Sequence, residues 1–226
     1  MRLLGIRSAL PVFRWDLIYL YSNLVADERP EIQALAPPVE SLISELRAER
    51  DAHEATEDSM VVMTARKARR DEGLDSTLKR YGGVARATDK DLYKASFPRH
   101  NPTETARMAL DEEVLEVARI LGELESQPVD HPVRVEYEGA LRADHEAVKA
   151  AINDANKAGT ALALSRSRVE RFKLRMDKAR VEVHGRLLSI LKDKAEASAF
   201  FRSTVKAPGS EETPEAPAPE AAPPQA

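Results

Sequence analysis

The sequence predicts an all-α fold, an elongated antiparallel four-helix bundle of two short and two long helices, followed by a disordered tail. Charged residues make up 32% of the 226 residues and aromatic residues only 5%, a balance typical of long helices rather than sheets. Apolar side chains recur three and four residues apart along most of the chain, a spacing that places them on one helical face. Proline-containing turns separate the periodic segments, which favours antiparallel neighbours.

The first predicted helix is short and runs from about residue 8 to residue 25. Its apolar positions follow the helical spacing: Leu10, Phe13, Leu17, Leu20, Tyr21 and Leu24. Pro30, Pro37 and Pro38 mark the turn after it, because proline interrupts a helix or starts a new one.

The second predicted helix is long, beginning near Val39 and ending at Tyr81–Gly83. Glycine readily takes the left-handed conformation that closes a helix, so the two glycines at 82 and 83 indicate its end. The connection over 82–102 would then be the longest irregular segment, and therefore a candidate functional loop.

The third predicted helix is short and is capped by Asn101 or Thr103, since both side chains can accept a backbone N–H at a helix start. Its apolar stripe consists of Leu110, Val114, Val117, Leu121 and Leu124. The fourth predicted helix is long, beginning near Val133 and continuing almost to Phe201, with a kink near Gly159.

The sequence predicts one helical-bundle domain over 1–206, with possible halves at 8–96 and 103–206. The halves are suggested by LRAERDAHEA at 46–55 and its echo LRADHEA at 141–147, which indicate a duplicated helical hairpin. A duplication predicts that His53 and His145 occupy related places. Residues 207–226 contain six of the 14 prolines and no large apolar side chain, so we expect a disordered tail.

Motifs for chemistry are missing from the sequence, so we expect no enzyme, no cofactor and no metal. The chain has no cysteine, no Gly-rich phosphate loop and no Glu-x-x-His pair of the kind that di-iron bundles use. A carboxylate and histidine metal site, suggested by Glu49 and His53, ranks a distant third among the hypotheses. The N-terminal region shows no cleavable signal and no membrane span, so we expect a soluble, cytoplasmic protein.

Charge patterning suggests one binding hypothesis. Residues 165–194 carry ten Lys or Arg against four acids, whereas 104–125 carry seven acids against two arginines. We expect these segments to neutralise each other. The alternative is a basic stripe that binds nucleic acid or an acidic partner. Its candidate residues are Arg66, Lys67, Arg69, Arg70, Arg166, Arg168, Arg171, Arg175, Lys178 and Arg180.

Aromatic residues near the N-terminus suggest the other binding hypothesis. Phe13, Trp15, Tyr19 and Tyr21 include the only tryptophan, and they surround the first helix instead of lining one face. Some of them must be exposed unless a partner or a second copy covers them, and the alternative is simple burial between the two long helices. The sequence therefore favours a non-enzymatic structural or adaptor protein that binds another protein or forms a homodimer, and no small-molecule substrate is evident.

Overall fold

The computed structural model describes residues 3–202, and every regular element in this range is a helix, with no strand. The predicted all-α class is confirmed. The predicted tail over 207–226 lies outside the described residues. The helices are α1 (Leu10–Ala26), α2 (Pro30–Gln33), α3 (Ala36–Thr88), α4 (Lys90–Ser96), α5 (Pro102–Thr105), α6 (Leu110–Glu125), α7 (Pro132–Leu191) and α8 (Lys194–Ala199).

The chain divides into two compact units, which we call the terminal and the central unit. The terminal unit joins the described residues of Met1–Leu46 and Lys173–Ala226, and the central unit is Arg47–Phe172. Each long helix, α3 and α7, gives one segment to each unit. This division differs from the predicted halves at 8–96 and 103–206, which would have assigned one long helix to each half.

The core of the terminal unit is built on the apolar face of α1. Phe13, Leu17, Leu20 and Leu24 are completely buried, as the helical spacing predicts. α1 starts with a proline in its first turn, where the missing N–H would have had no helical partner. The first predicted helix therefore exists, with bounds shifted by one or two residues, whereas Leu10 and Tyr21 of its predicted apolar face are only half-buried.

The core of the central unit lies where α3, α4, α6 and α7 each contribute apolar side chains. Its buried members include Leu78 of α3, Leu92 of α4, Leu124 of α6 and Leu141 of α7. Tyr81 lies among them, and its hydroxyl oxygen is 2.5 Å from the hydroxyl oxygen of Ser96. The buried tyrosine hydroxyl therefore has a hydrogen-bond partner.

The predicted end of the second helix at Tyr81–Gly83 is wrong. α3 continues to Thr88, and Gly82 serves close packing instead of termination. A Cβ atom built on Gly82 would lie 2.1 Å from Cγ of Pro102, so only glycine lets the helix backbone approach this proline.

The segment over 82–102 is consequently not an irregular loop. After α3 ends, the carboxylate of Asp89 accepts the N–H groups of Asp91 and Leu92 and so caps α4 at once. Helical residues therefore fill most of the segment that the sequence marked as irregular.

Asn101 does cap a helix, as predicted, and forms a capping box with Glu104. However, the helix that it starts, α5, ends at Thr105, and the predicted apolar stripe belongs to the separate helix α6.

The last long helix is also shorter than predicted. α7 ends at Leu191, where Lys192 takes a φ of 56° and Asp193 caps α8. Gly159 lies within continuous helix.

The duplication hypothesis fails its geometric test. His53 Nδ1 lies 2.9 Å from the hydroxyl oxygen of Ser165, on the other long helix. His145 Nε2 lies 3.1 Å from the carbonyl oxygen of Val114, on the short helix α6. The two histidines therefore occupy different places, and we drop the duplication.

Candidate functional site

An exposed, uncharged stripe runs along α1 on the side opposite its buried face. It consists of Val12, Trp15, Tyr19, Ser22 and Ala26, which we call the α1 outer stripe. Trp15 is 39% exposed and Tyr19 is 43% exposed, high fractions for side chains of this size. Among the described residues, six of the fourteen large apolar side chains that are exposed lie in the first 25 positions. Exposed apolar side chains that cluster in this way are typical of protein-binding surfaces.

The predicted aromatic cluster is only partly available for binding. Phe13 is completely buried beside Leu17, and Tyr21 is half-buried. The guanidinium of Arg202 lies 5.7 Å from the centre of the Trp15 ring and covers part of it. Trp15 and Tyr19 are therefore the two exposed aromatic side chains of the predicted set.

A buried ion cluster fixes α1 in the terminal unit. Arg180 of α7 is 2% exposed and Asp16 of α1 is 3% exposed. The Arg180 side chain donates from Nε to Asp16 Oδ2 and from Nη1 to Asp177 Oδ1, both at 2.5 Å. These charge-assisted bonds set the rotation of α1, because Asp16 can reach the arginine from one side of the helix only.

The same cluster holds the segment before α1. The carboxylate of Asp177 accepts the backbone N–H groups of Leu4 at 3.1 Å and Gly5 at 2.7 Å. Gly5 has a φ of 73°, in the left-handed region that favours glycine. One aspartate thus ties the N-terminal segment to α7 while it pairs with Arg180.

Opposing influences act on the charge of Asp16. Burial raises the pKa of this carboxyl above its usual range, and the neighbouring Arg180 guanidinium opposes that rise. The charged form of Asp16 therefore depends on Arg180. The pairing of Asp16 with Arg180 was not predicted from the sequence, although an aspartate between Phe13 and Leu20 on an apolar face indicates a buried partner.

A small cavity of about 210 Å³ adjoins Arg180 in the terminal unit. Leu17 and Leu20 of α1, Val39 of α3 and Val183 of α7 line it. Sites for drug-sized ligands usually measure about 300–1,000 Å³. The cavity is therefore smaller than a typical site for a drug-sized ligand.

The predicted basic residues do not all face outwards. Arg180 belongs to the buried ion cluster, so its guanidinium is not on the surface. In the central unit, Lys67 is half-buried, whereas an exposed group remains: Arg66, Arg69, Arg70, Arg166, Arg168 and Arg171. In the terminal unit Arg175 and Lys178 are exposed.

Several of these basic side chains already form ion pairs. In the central unit Arg168 pairs with Glu49 of α3 at 2.7 Å. In the terminal unit Arg175 pairs with Glu45 of α3. Basic residues of α7 therefore meet acids of α3.

The acids of the third predicted helix find other partners. Glu116 pairs with Arg119 of the same helix at 2.6 Å, and Glu125 pairs with Arg142 near the start of α7 at 2.5 Å. The ion pairs formed by Arg168 and Arg175 do not follow the expected neutralisation between 104–125 and 165–194. Which charged residues pair between helices depends on how the helices pack, and the net charges of the two segments do not determine that packing.

Within residues 3–202, no helix combines the length and the apolar character needed to cross a membrane. No protein-family model, curated protein or solved structure matches this chain.

Proposed function

We propose that this protein is a non-enzymatic structural or adaptor protein that acts through self-association, and that the α1 outer stripe binds the same stripe of a second copy. The observation that carries this proposal is the exposure of Trp15 and Tyr19 on one uncharged side of α1. Aromatic side chains contribute most to binding when a partner removes them from water.

The composition of the stripe favours a second copy as the occupant. Its five members carry no charge, so two stripes related by a two-fold axis meet without like-charge repulsion. The five stripe residues themselves offer no complementary charge to an acidic or basic partner, and the Arg202 guanidinium lies against the Trp15 ring. Two tryptophans and two tyrosines would instead pack at the centre of the interface.

The size of the stripe sets the strength of the association. α1 has 17 residues and is therefore about 25 Å long, and a face about 10 Å wide covers a few hundred Å². A stable interface buries about 800 Å² on each partner. We therefore expect a weak dimer, with a Kd of about 10 μM or higher.

The predicted elongated antiparallel four-helix bundle remains part of the proposal. Two contacts in the central unit support antiparallel long helices: Thr77 bonds Asp144, and His53 bonds Ser165. The earlier residue of α3 contacts the later residue of α7, as expected for helices that run in opposite directions. Small-angle X-ray scattering on the monomer would test the elongated shape.

Replacing Trp15 by glutamate should weaken self-association at least tenfold. The substitution removes an aromatic side chain from the interface and places two like charges there. Sedimentation velocity over a hundredfold concentration range would measure the association. Leu164→Glu is the matched control, because Leu164 is an exposed apolar residue on α7 outside the stripe.

The proposal fails if the natural protein stays monomeric at every concentration, or if both variants weaken association equally. Deletion of residues 203–226 provides a further comparison, since Arg202 lies against Trp15 and the rest of the chain follows from there. Stronger dimerisation of the truncated protein would mean that this segment competes with the second copy for the stripe.

Binding of nucleic acid or an acidic partner is the second candidate function. It rests on the exposed basic side chains of the central unit, including Arg66, Arg70, Arg166 and Arg171. Fluorescence anisotropy with duplex DNA at low and moderate salt would test it. Binding that weakens steeply with salt and is lost in Arg66→Ala/Arg70→Ala would favour this function, and no binding at low salt would exclude it.

A further inference from the structure

Three carboxylates meet in the central unit, outside the α1 outer stripe. Asp71 and Asp75 lie one turn apart on α3, and Glu113 faces them from the first turn of α6. Each residue offers a carboxylate oxygen, and these oxygens all lie within 4.8 Å of one another. Glu113 is only 1% exposed, which is rare for a glutamate unless it has a partner.

Two oxygens of this cluster are buried without a partner. Glu113 Oε1 and Asp75 Oδ1 have no hydrogen-bond partner among the described residues. Lys79 donates to Oδ2 of Asp75 at 3.0 Å, so the lysine neutralises one side of that carboxylate and leaves the other facing the cluster. Buried acceptors without donors are costly, and three facing carboxylates repel one another. The cluster therefore requires a positive partner.

Burial, together with the facing carboxylates of Asp75 and Asp71, raises the pKa of Glu113 to about 8. Burial likewise raises the pKa of Asp71, with Asp75 adding to the effect. In the absence of another cation, a proton on Glu113 would supply the missing positive charge near neutral pH.

The other charged groups around the cluster do not fill this role. On α3, the positive charges of Lys67 and Lys79 act on Asp71 without offsetting the rise of its pKa. On α7, His145 Nε2 lies within hydrogen-bonding distance of the Val114 carbonyl. A small cation from solution is therefore the natural alternative to a proton.

We propose that Asp71, Asp75 and Glu113 bind one divalent cation of the class that prefers oxygen ligands, namely Mg²⁺, Mn²⁺ or Ca²⁺. Oxygens bound to one such ion at about 2.0–2.6 Å stand within about 4–5 Å of one another, which matches the cluster. The ligand set has no sulfur or nitrogen, which disfavours Zn²⁺ and Cu²⁺. The ion would join α3 to α6 and is independent of self-association through α1.

Titration of the chelator-treated, full-length protein with MnCl₂ would test the site. We expect one Mn²⁺ per chain by calorimetry, a change in the Mn²⁺ paramagnetic resonance signal, and a rise in Tm of about 2–6 °C at saturating Mn²⁺. Mg²⁺ or Ca²⁺ added in excess should compete with Mn²⁺ for the same site.

Substitution of the buried ligand should remove the effect. Glu113→Gln keeps the shape of the side chain but supplies no negative charge to the ion, so we expect Mn²⁺ affinity to fall at least tenfold. Asp75→Asn should weaken Mn²⁺ binding in the same way. Glu112→Gln is the matched control, because this neighbouring glutamate is exposed, and it should bind Mn²⁺ like the natural protein.

The cation site is overturned if Mn²⁺, Mg²⁺ and Ca²⁺ at millimolar concentration produce no heat and no change in Tm. Equal Mn²⁺ binding by the natural protein, Glu113→Gln and Asp75→Asn would also overturn it, because the ion would then lie elsewhere. Both outcomes leave self-association unaffected, so they are distinguishable from failure of the proposed function.

Discussion

Replacing Arg180 by leucine should lower the free energy of unfolding by about 3–5 kcal/mol, the largest loss that we expect from any single substitution. The substitution leaves Asp16 and Asp177 buried beside an apolar side chain, without the guanidinium that donates to both at 2.5 Å. Removing one partner of a buried ion pair is costly because the remaining charge keeps its desolvation penalty. Urea denaturation followed by circular dichroism would measure the change.

Lys178→Ala provides the control for this experiment. Lys178 lies two residues before Arg180 on α7, and its exposed side chain reaches Glu182 only at 4.0 Å. We expect its loss to change stability by no more than about 0.5 kcal/mol. A similar loss of stability in both variants would mean that the buried ion cluster stabilises the protein no more than the exposed side chain of Lys178 does.

The loss caused by Arg180→Leu should also depend on pH. Burial already raises the pKa of Asp16, and the substitution removes the influence that opposes the rise. The variant can then protonate Asp16 in acid, so its stability should fall as pH rises from about 4 towards 7. The difference between variant and natural protein should accordingly be larger at pH 7 than at pH 4.

A double-mutant cycle would separate the pair from its surroundings. In Asp16→Asn/Arg180→Leu the buried carboxylate is neutral, so the combined loss should be smaller than the sum of the two single losses. Additive losses would contradict a direct coupling between Asp16 and Arg180.

The sequence predicted the parts of this fold that depend on local spacing. The buried face of α1, with Phe13, Leu17 and Leu20, follows from three- and four-residue intervals, and no distant contact is needed to recognise it. The cap at Asn101 is similarly local, because its side chain bonds N–H groups two and three residues away.

The sequence did not predict the buried clusters, because their members are distant along the chain. Asp16 and Arg180 are 164 positions apart, and no local pattern indicates their pairing. In the sequence, Glu113 is one of seven acidic residues in the segment 104–125 and nothing distinguishes it from the others. It is buried because α6 packs against α3 at this position. Arg180 is buried and so does not belong to an exposed basic stripe. Its burial depends on tertiary contacts, which local sequence patterns do not indicate.

The predicted helix end at Tyr81–Gly83 shows how a correct propensity argument can give the wrong structure. Glycine favours helix termini in general, but Gly82 and Gly83 lie within α3 and have different surroundings. Gly82 is buried against Pro102, whereas the site of a Cβ on Gly83 has no neighbour within 4 Å. Only the position of Pro102, twenty residues later, distinguishes them.

Gly82→Ala should therefore destabilise the protein by about 2–3 kcal/mol, although alanine is the better helix former. The new Cβ would lie 2.1 Å from Cγ and 2.9 Å from Cβ of Pro102, and 3.3 Å from the ring of Phe97. Proline is rigid, so the contact can be relieved only if the α5 backbone moves away from α3. Thermal unfolding should show a fall in Tm of several degrees.

Gly83→Ala is the matched control, one residue further along the same helix. Here the added methyl group meets open space, and alanine replaces glycine within a helix, so we expect a gain of about 0.5–1 kcal/mol. The two substitutions are chemically identical, and their effects should have opposite signs. A gain in both variants would mean that Pro102 does not press on α3, and the close approach of α5 to Gly82 would then have to be abandoned.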